Sequence, residues 1–484
     1  MSRPVLLRCT SCLLLLGLLL GAACAVNPVT GKRQIVLMSE SQEIAMGQQA
    51  APQIAATMGI YDDADLQRYV ERIGLGMARS SERPQLPWQF RVVDDSLVNA
   101  FAVPGGFVYV TRGILAYFDD EAQLASVLGH EIGHVTARHS VAQYTKQMGA
   151  QLVLLPTIVL VPELANASQL IGAGLQVLLL KYSRDDESQS DELGLAYMTR
   201  AGYAATEMPK VFHTLDRIGE KSGTDGIPEW LSSHPKPANR ESVMKALIAR
   251  LPNGGQGRIG RKEYMEHIDG LVYGDDPRQG YFGDDAVFHH PELAFRIAFP
   301  EGWKLVNQHT LVGAVEPGQK AAVQVTLDEQ KTPQAAASAF VSGEGIQSTR
   351  PRSETIGGLP AVTLDFLASS QGGAVRGMAA FVAYGDHVYR MLGLAPQAGF
   401  ASYESVLRGT LYSFQRERSA AVLAVQPWRI EIVTPSRDYG IDGFAQAYPG
   451  PVGAEELALL NGIDAGTRYA RGVLFKRVVG KPLP

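Results

Sequence analysis

Leu124-Ala125-Ser126-Val127-Leu128-Gly129-His130-Glu131-Ile132-Gly133-His134 places apolar residues at Leu124, Val127 and Leu128, continued by Val135. That is the three-, four- and seven-residue spacing of one buried helical face. Asp119 and Asp120 stand just before the run, where an N-cap belongs. On such a helix His130 and His134 lie one turn apart on the same side, so both imidazoles reach one ion. Glu131 is rotated by about 100° from His130, beside the ion rather than on it. Two nitrogen ligands, with a carboxylate held off the metal to take a proton from water, are what zinc-assisted hydrolysis requires. The competing reading is a buried helix that carries two histidines by chance. Gly133 weighs against it, because helix interiors disfavour glycine unless another element must come close.

A second stretch, Ser183-Arg184-Asp185-Asp186-Glu187-Ser188-Gln189-Ser190-Asp191, strengthens the metal reading. Ser183 with Asp186 reads as a capping box that opens a helix, and Glu187 and Asp191 share one face of it. Glu187 then serves as third ligand. Asp191, one turn on, accepts the outer N–H of a ligand histidine and fixes its tautomer. A metzincin arrangement fails on spacing, since it needs glycine and histidine where this chain has Ala137 and Ser140.

His130-Glu131-Ile132-Gly133-His134 followed by Ser183-Arg184-x-x-Glu187-x-x-x-Asp191 resembles the gluzincin zinc metallopeptidases of the HtpX and CaaX-prenyl-protease type. The resemblance is closest to their soluble periplasmic branch, which handles outer-membrane proteins. It implies one Zn2+ per chain on His130, His134 and Glu187, with Glu131 as general base.

A length of 484 residues predicts two to four domains. The 46% hydrophobic and 19% charged content is ordinary for a globular chain. A net charge of −5 with interspersed signs leaves no basic stripe and argues against nucleic acid as a partner. Residues 1–24 read as a targeting segment: Arg3 and Arg8, an apolar run over 13–20 too short for a comfortable membrane span, then Gly21, Ala22 and Ala23 before Cys24. This resembles a lipoprotein signal with Cys24 as the acylation site, although Leu20 stands four residues before the cysteine rather than three. Ordinary cleavage after Ala23 or Ala25 is the alternative. The only other cysteines are Cys9 and Cys12, so a disulfide framework and a reactive thiol are excluded. Ala25 is not the aspartate that retains lipoproteins at the inner membrane. The resemblance therefore implies an exported, periplasmic chain, lipid-anchored to the outer membrane.

In the expected peptidase domain, 25–255, Asn27-Pro28-Val29-Thr30-Gly31-Lys32-Arg33-Gln34 resembles the opening of the mature domain in this branch. Ser39 with Gln42 caps the next helix, and 64–80 reads as a helix with Leu66, Tyr69, Val70, Ile73 and Met77 on one face. Residues 98–110 form two β-rich runs around Pro104-Gly105-Gly106. The family resemblance favours Asn99, Ala100 and Phe101 as a free edge that pairs with an extended substrate backbone. The plain alternative is a hairpin packed on the histidine helix. His139 lies five residues after His134, a step that turns it by about 140° along a continuous helix; it is predicted at the surface and without a role. Residues 151–180 carry one charge, Glu163, and are interrupted by Pro156 and Pro162, so they read as a hydrophobic hairpin or plug rather than a span.

Ser232-Ser233-His234-Pro235-Lys236-Pro237-Ala238-Asn239-Arg240 is the third family-like element. The resemblance implies that His234 approaches the zinc as a reversible, gating fourth ligand. Arg240 has two readings, stabilising an oxyanion or pairing with a carboxylate.

Pro252-Asn253-Gly254-Gly255 ends that domain, and 256–280 is expected as a linker. Residues 281–420 alternate strands and helices and resemble the small PsbP- and Mog1-like α+β fold, with no catalytic constellation; the adjacent His289-His290 is read as surface. Residues 425–484 read β, two short helices, β, and resemble a degenerate LysM module without its usual Gly-Asp-Thr-Leu start.

The fold class expected is therefore multidomain α+β: a mainly helical gluzincin domain with a small β-hairpin, a PsbP/Mog1-like domain and a βααβ LysM-like module. The function implied is a zinc endopeptidase acting on misfolded or unassembled outer-membrane proteins. Its partners would include the outer-membrane assembly machinery and, through the LysM-like segment, peptidoglycan. The alternative is a lipid-anchored chaperone or peptidoglycan-binding adaptor on a gated or inactive protease scaffold.

Overall fold

The computed structural model describes residues 24–36, 38–154, 181–222, 230, 233–235, 240–343, 345–370, 373–464 and 466–483. Residues 1–23 of the expected targeting segment, 155–180 of the apolar stretch and 236–239 of the His234 loop lie outside them. Among the described residues no helix is long and apolar enough to cross a membrane.

The chain opens with β1 (Cys24–Val26) paired antiparallel to β2 (Arg33–Ile35). Helix α1 (Glu40–Met58) starts at the Ser39/Gln42 capping box that the sequence indicates. Helix α2 (Ala64–Ala78) buries Leu66, Tyr69, Val70, Ile73 and Met77, the face its periodicity predicts. Next comes a three-stranded sheet of β3 (Gln89–Val93), β4 (Ala100–Val103) and β5 (Phe107–Thr111) in the order β3-β5-β4. β5 runs parallel to β3 and antiparallel to β4. The β4–β5 turn needs Gly105, whose φ is +89° and whose added Cβ would sit 2.7 Å from the Ile44 backbone.

Helix α3 (Glu121–Thr136) follows, capped by Asp120 and buried along its whole length. A helix apolar on one stripe only is normally a surface helix; this one sits at the centre, where Tyr203, Tyr197 and Asp191 partner its Glu121, Thr136 and His130. Against it pack α4 (His139–Leu154), α5 (Arg184–Arg200) and α6 (Met208–Ser222), while α7 (Arg240–Ile248) packs on α5 and α6. α5 begins at the predicted Ser183/Asp186 capping box.

The stretch expected as a linker is not one. It carries α8 (Arg261–Ile268), whose Tyr264, Met265 and Ile268 are buried in the same core as α2, α3 and α5. It also carries β6 (Val272–Tyr273). Its glycines and charges read as loop because the partners of its apolar face are far away in sequence.

The region after it is built on a large antiparallel sheet. Its strands β7 (Lys304–Gln308), β8 (Leu311–Val315), β9 (Ala322–Asp328), β10 (Leu359–Ser370), β11 (Gly373–Tyr384) and β12 (His387–Pro396) lie in the order β7-β8-β9-β12-β11-β10. Side chains alternate between its faces. Met378, Ala380 and Val382 face α10 (Phe400–Tyr412), while Ala379 and Phe381 face α9 (Pro333–Val341). His289 pairs with Glu417 at 2.5 Å, and His290 Nδ1 accepts from Leu293 N–H, so this doublet is structural.

The C-terminal segment reads β13 (Trp428–Val433), α11 (Ile441–Ala447), α12 (Ala454–Leu460) and β14 (Phe475–Val479), the predicted order. β13 pairs with β14 and with β6, and Ile430, Leu459, Leu460 and Val478 join the core of α3. Lys476 is fully buried; its Nζ donates to Ala116 O at 3.0 Å and Phe118 O at 2.7 Å and lies 3.3 Å from Asp119 Oδ1. The C-terminal segment is thereby fastened to the turn that launches α3.

Removing one partner from such a buried cluster leaves the others desolvated. Lys476→Ala should lose about 3 kcal/mol of unfolding free energy in a denaturant titration. Burial pulls the Lys476 ammonium from 10.5 down to about 8, with Asp119 acting in the opposite direction. Between those values the unfolded chain holds a proton that the folded chain lacks, so stability rises with pH there. The margin of the wild type over Lys476→Met should accordingly widen as pH rises from 8 to 10.5.

Candidate metal centre

His130 and His134 project from one side of α3, with Nε2 atoms 3.0 Å apart. Glu187, in the first turn of α5, brings Oε1 to 3.2 Å from His134 Nε2 and Oε2 to 3.5 Å from His130 Nε2. Their meeting depends on how closely α3 and α5 cross. A Cβ on Gly133 would stand 3.1 Å from Ser190 Cα, and one on Gly194 would stand 2.9 Å from His130 N. The glycine noted in the motif is therefore the contact point that the second helix needs.

His234 completes the group. Its Nδ1 lies 2.9 Å from Glu187 Oε1 and 3.3 Å from His130 Nε2. One ligand atom from each of His130, His134, Glu187 and His234 falls within 4.8 Å of the others. Donors about 2.0–2.1 Å from a tetrahedral zinc stand about 3.3 Å from one another, which these separations bracket. The donor set itself, three imidazoles and one carboxylate, suits an ion of that kind. Glu187 Oε2 is buried without a hydrogen-bond partner among the described residues, as a ligand oxygen would be. The residues present can hold a metal.

Electrostatics point the same way. Burial alone would raise the Glu187 carboxyl, but His234 and His130 hold it well below the usual range. Burial pushes His134 well down, leaving it neutral. Burial also works downward on His130, where Glu187 and Asp191 overcome it and raise the group to about 9.

Glu131 is fully buried, and neither of its oxygens has a hydrogen-bond partner among the described residues. Burial raises its carboxyl above the usual range despite His234 and His130. His234 Nε2 stands 3.7 Å from Glu131 Oε1, so His234 lies between this carboxylate and the ligand cluster.

Asp191 is placed as the sequence predicts, with Oδ1 2.9 Å from His130 Nδ1. Of the two readings of Arg240, the structure realises the carboxylate pairing. Its Nε donates to Asp191 Oδ2 and its Nη2 to Oδ1, both at 2.6 Å, and its guanidinium lies 4.0 Å over the Phe212 ring.

Asn99, just ahead of β4, and Ala100 and Phe101 within it are buried, and among the described residues β4 pairs with β5 alone. Phe101 stacks on Tyr109 at 5.1 Å and packs under α1, and Asn99 Oδ1 has no hydrogen-bond partner among the described residues. Their side chains support the sheet. Cys24 stands in β1 at the start of the described chain.

His139 is where the sequence reading fails. It is not at the surface but 3% exposed, with Nδ1 3.0 Å from His134 Nδ1. α3 stops at Thr136, Arg138 takes φ +61°, and α4 restarts at His139. That left-handed residue invalidates a rotation counted along one continuous helix. Two aromatic groups also went unread: Tyr182 stacks on His134 at 3.8 Å, and Trp230 stacks on His234 at 4.1 Å. Trp230 lies four residues before His234, a spacing that hints at the pairing only once a helical turn there is assumed.

Asp191→Asn should keep the fold while weakening both the His130 support and the Arg240 clamp. Metal affinity, read by competition with a chelator, should fall about 10- to 100-fold.

The sequence model of peptidase family M48 matches residues 64–248. The mitochondrial metalloendopeptidase OMA1 of Arabidopsis thaliana is 31% identical over 188 residues, 38% of this chain and 36% of that protein. The beta-barrel assembly-enhancing protease of Escherichia coli K12 is 30% identical over 212 residues, 42% of this chain and 43% of that protein. Among solved structures, cyanobacterial PsbP from Synechocystis aligns at a TM-score of 0.23 and 12% identity over 28% of this chain and 94% of that one. The chain thus spans less than half the length of the two proteases it matches. The match to the model of peptidase family M48 is confined to residues 64–248, the stretch that carries His130, His134, Glu187 and His234.

Proposed function

We propose that the chain is a zinc-dependent endopeptidase that hydrolyses peptide bonds of misfolded or unassembled exported proteins. The observation that carries the proposal is the convergence of His130 and His134 from one helix with Glu187 from another, beside the carboxylate of Glu131, which has no hydrogen-bond partner among the described residues. A bound divalent ion supplies a Lewis acid for the scissile carbonyl and a more acidic water. Glu131, with its carboxyl raised by burial, takes the proton of the attacking water and returns it to the leaving amine. The edge of β4 pairs with an extended substrate backbone. Backbone pairing reads no particular side chain, which suits a broad clientele.

His234 is the gate in this reading. It stands between Glu131 and the other ligands, where the attacking water must enter, so the arrangement described is a closed form. Opening requires His234 to leave the cluster. Arg240 holds Asp191 in this form and is assigned to positioning rather than to the oxyanion.

The proposed setting, supported by the N-terminal sequence pattern, is the periplasmic face of the outer membrane, with Cys24 lipidated. Unassembled outer-membrane proteins would be the clients, with the outer-membrane assembly machinery as partner. In this reading 281–420 is a PsbP/Mog1-like domain and 425–484 a LysM-like module open to peptidoglycan.

Glu131→Gln should bind one zinc per chain with unchanged affinity and cut casein at a rate reduced at least about 1,000-fold. Wild-type turnover by that variant would refute the assignment. His234→Ala should cut casein several-fold faster than the wild type. If it proves slower, His234 is a working residue and not a gate.

A further inference from the structure

The mechanism above makes no use of His139, yet its surroundings specify its protonation. Nε2 lies 3.0 Å from Gln189 Oε1 and 3.6 Å from Asp186 Oδ1, both acceptors. The ring proton therefore sits on Nε2 and the lone pair on Nδ1. That lone pair is 3.0 Å from His134 Nδ1 and 3.2 Å from Ser190 Oγ. Two ring nitrogens at that separation need one proton between them, and it must come from His134. His134 is thereby fixed as the Nδ1–H tautomer, with its lone pair on Nε2. Nε2 is the atom that faces Glu187 Oε1 and His130 Nε2.

The geometry points to His139 as a positioning residue that holds His134 in its metal-binding tautomer and orientation. This rests on the metal-centre reading and extends it. The two α3 ligands are supported by different chemistry. His130 leans on a carboxylate, Asp191, which Arg240 clamps. His134 leans on a neutral imidazole, which is braced by Gln189 and Ser190 of the same helix α5 that carries Glu187. α5 thus fixes one ligand through Glu187 and orients both others. The left-handed turn at Arg138 makes this possible, because it brings His139 back beside His134.

The competing role for His139 is filling space beneath α4. His139→Phe keeps a ring there without an acceptor, and His139→Asn offers a carbonyl oxygen to His134 Nδ1–H. Zinc dissociation constants come from competition with a chelator, alongside melting of the metal-free proteins. Loss of the acceptor should weaken zinc binding about 10- to 100-fold in His139→Phe, with His139→Asn recovering most of it. Gln189→Met, a change at a half-buried site, should weaken zinc binding several-fold and decides the matter if His139→Phe does not fold. Wild-type affinity in His139→Phe, or in Gln189→Met where it alone folds, would overturn the proposal, as would equal losses in the Phe and Asn variants. A wild type that binds no zinc at all would instead refute the metal centre itself.

Discussion

The close crossing of α3 and α5 is the constraint on which the site depends. Hydrogen in place of Cβ at Gly133 and Gly194 lets the helix backbones approach within ordinary contact distance. A carboxylate in the first turn of α5 then reaches imidazoles in the middle of α3. With alanine at either glycine, the helices would have to separate or shift, and Glu187 would draw back from both nitrogens. Every other feature of the centre takes this approach as given.

Bringing the helices together buries an unusual density of ionisable groups, and burial is tolerable only when such groups are paired. Asp191 accepts from His130 and Arg240, Glu187 lies among three imidazoles, and His139 joins His134 to Gln189. Glu131 stands apart, because its two oxygens have no hydrogen-bond partner among the described residues. An unsatisfied buried carboxylate is costly for a fold, and burial raises its proton affinity, the property the proposed general base needs.

The working scaffold extends beyond residues 64–248. β6 and β13 join sequence-distant segments in one sheet, α8 lies in the central core, and Lys476 binds the turn ahead of the Asp120 cap. The 281–420 region, by contrast, has cores of its own on the two faces of a single sheet. The C-terminal segment is thus structurally continuous with the histidine helix despite the long excursion between them.

What the sequence determined by itself is whatever repeats within a few residues. The helical faces of α2 and α3, the caps at Ser39, Asp120 and Ser183, the Gly105 turn and the i, i+4 histidine pair are all local patterns. They sufficed to bring His130, His134, Glu187 and Asp191 together, because two helices with known faces have few ways to meet. Tertiary structure decided the rest. Arg240 acquired its partner, 256–280 became core, and Lys476 became a buried anchor through contacts between residues far apart in sequence. His139 turned inward on the single dihedral of Arg138, a residue type that gives no warning of a left-handed backbone. Local periodicity is fixed by neighbouring bonds, whereas a long-range contact exists only once the chain has closed on itself.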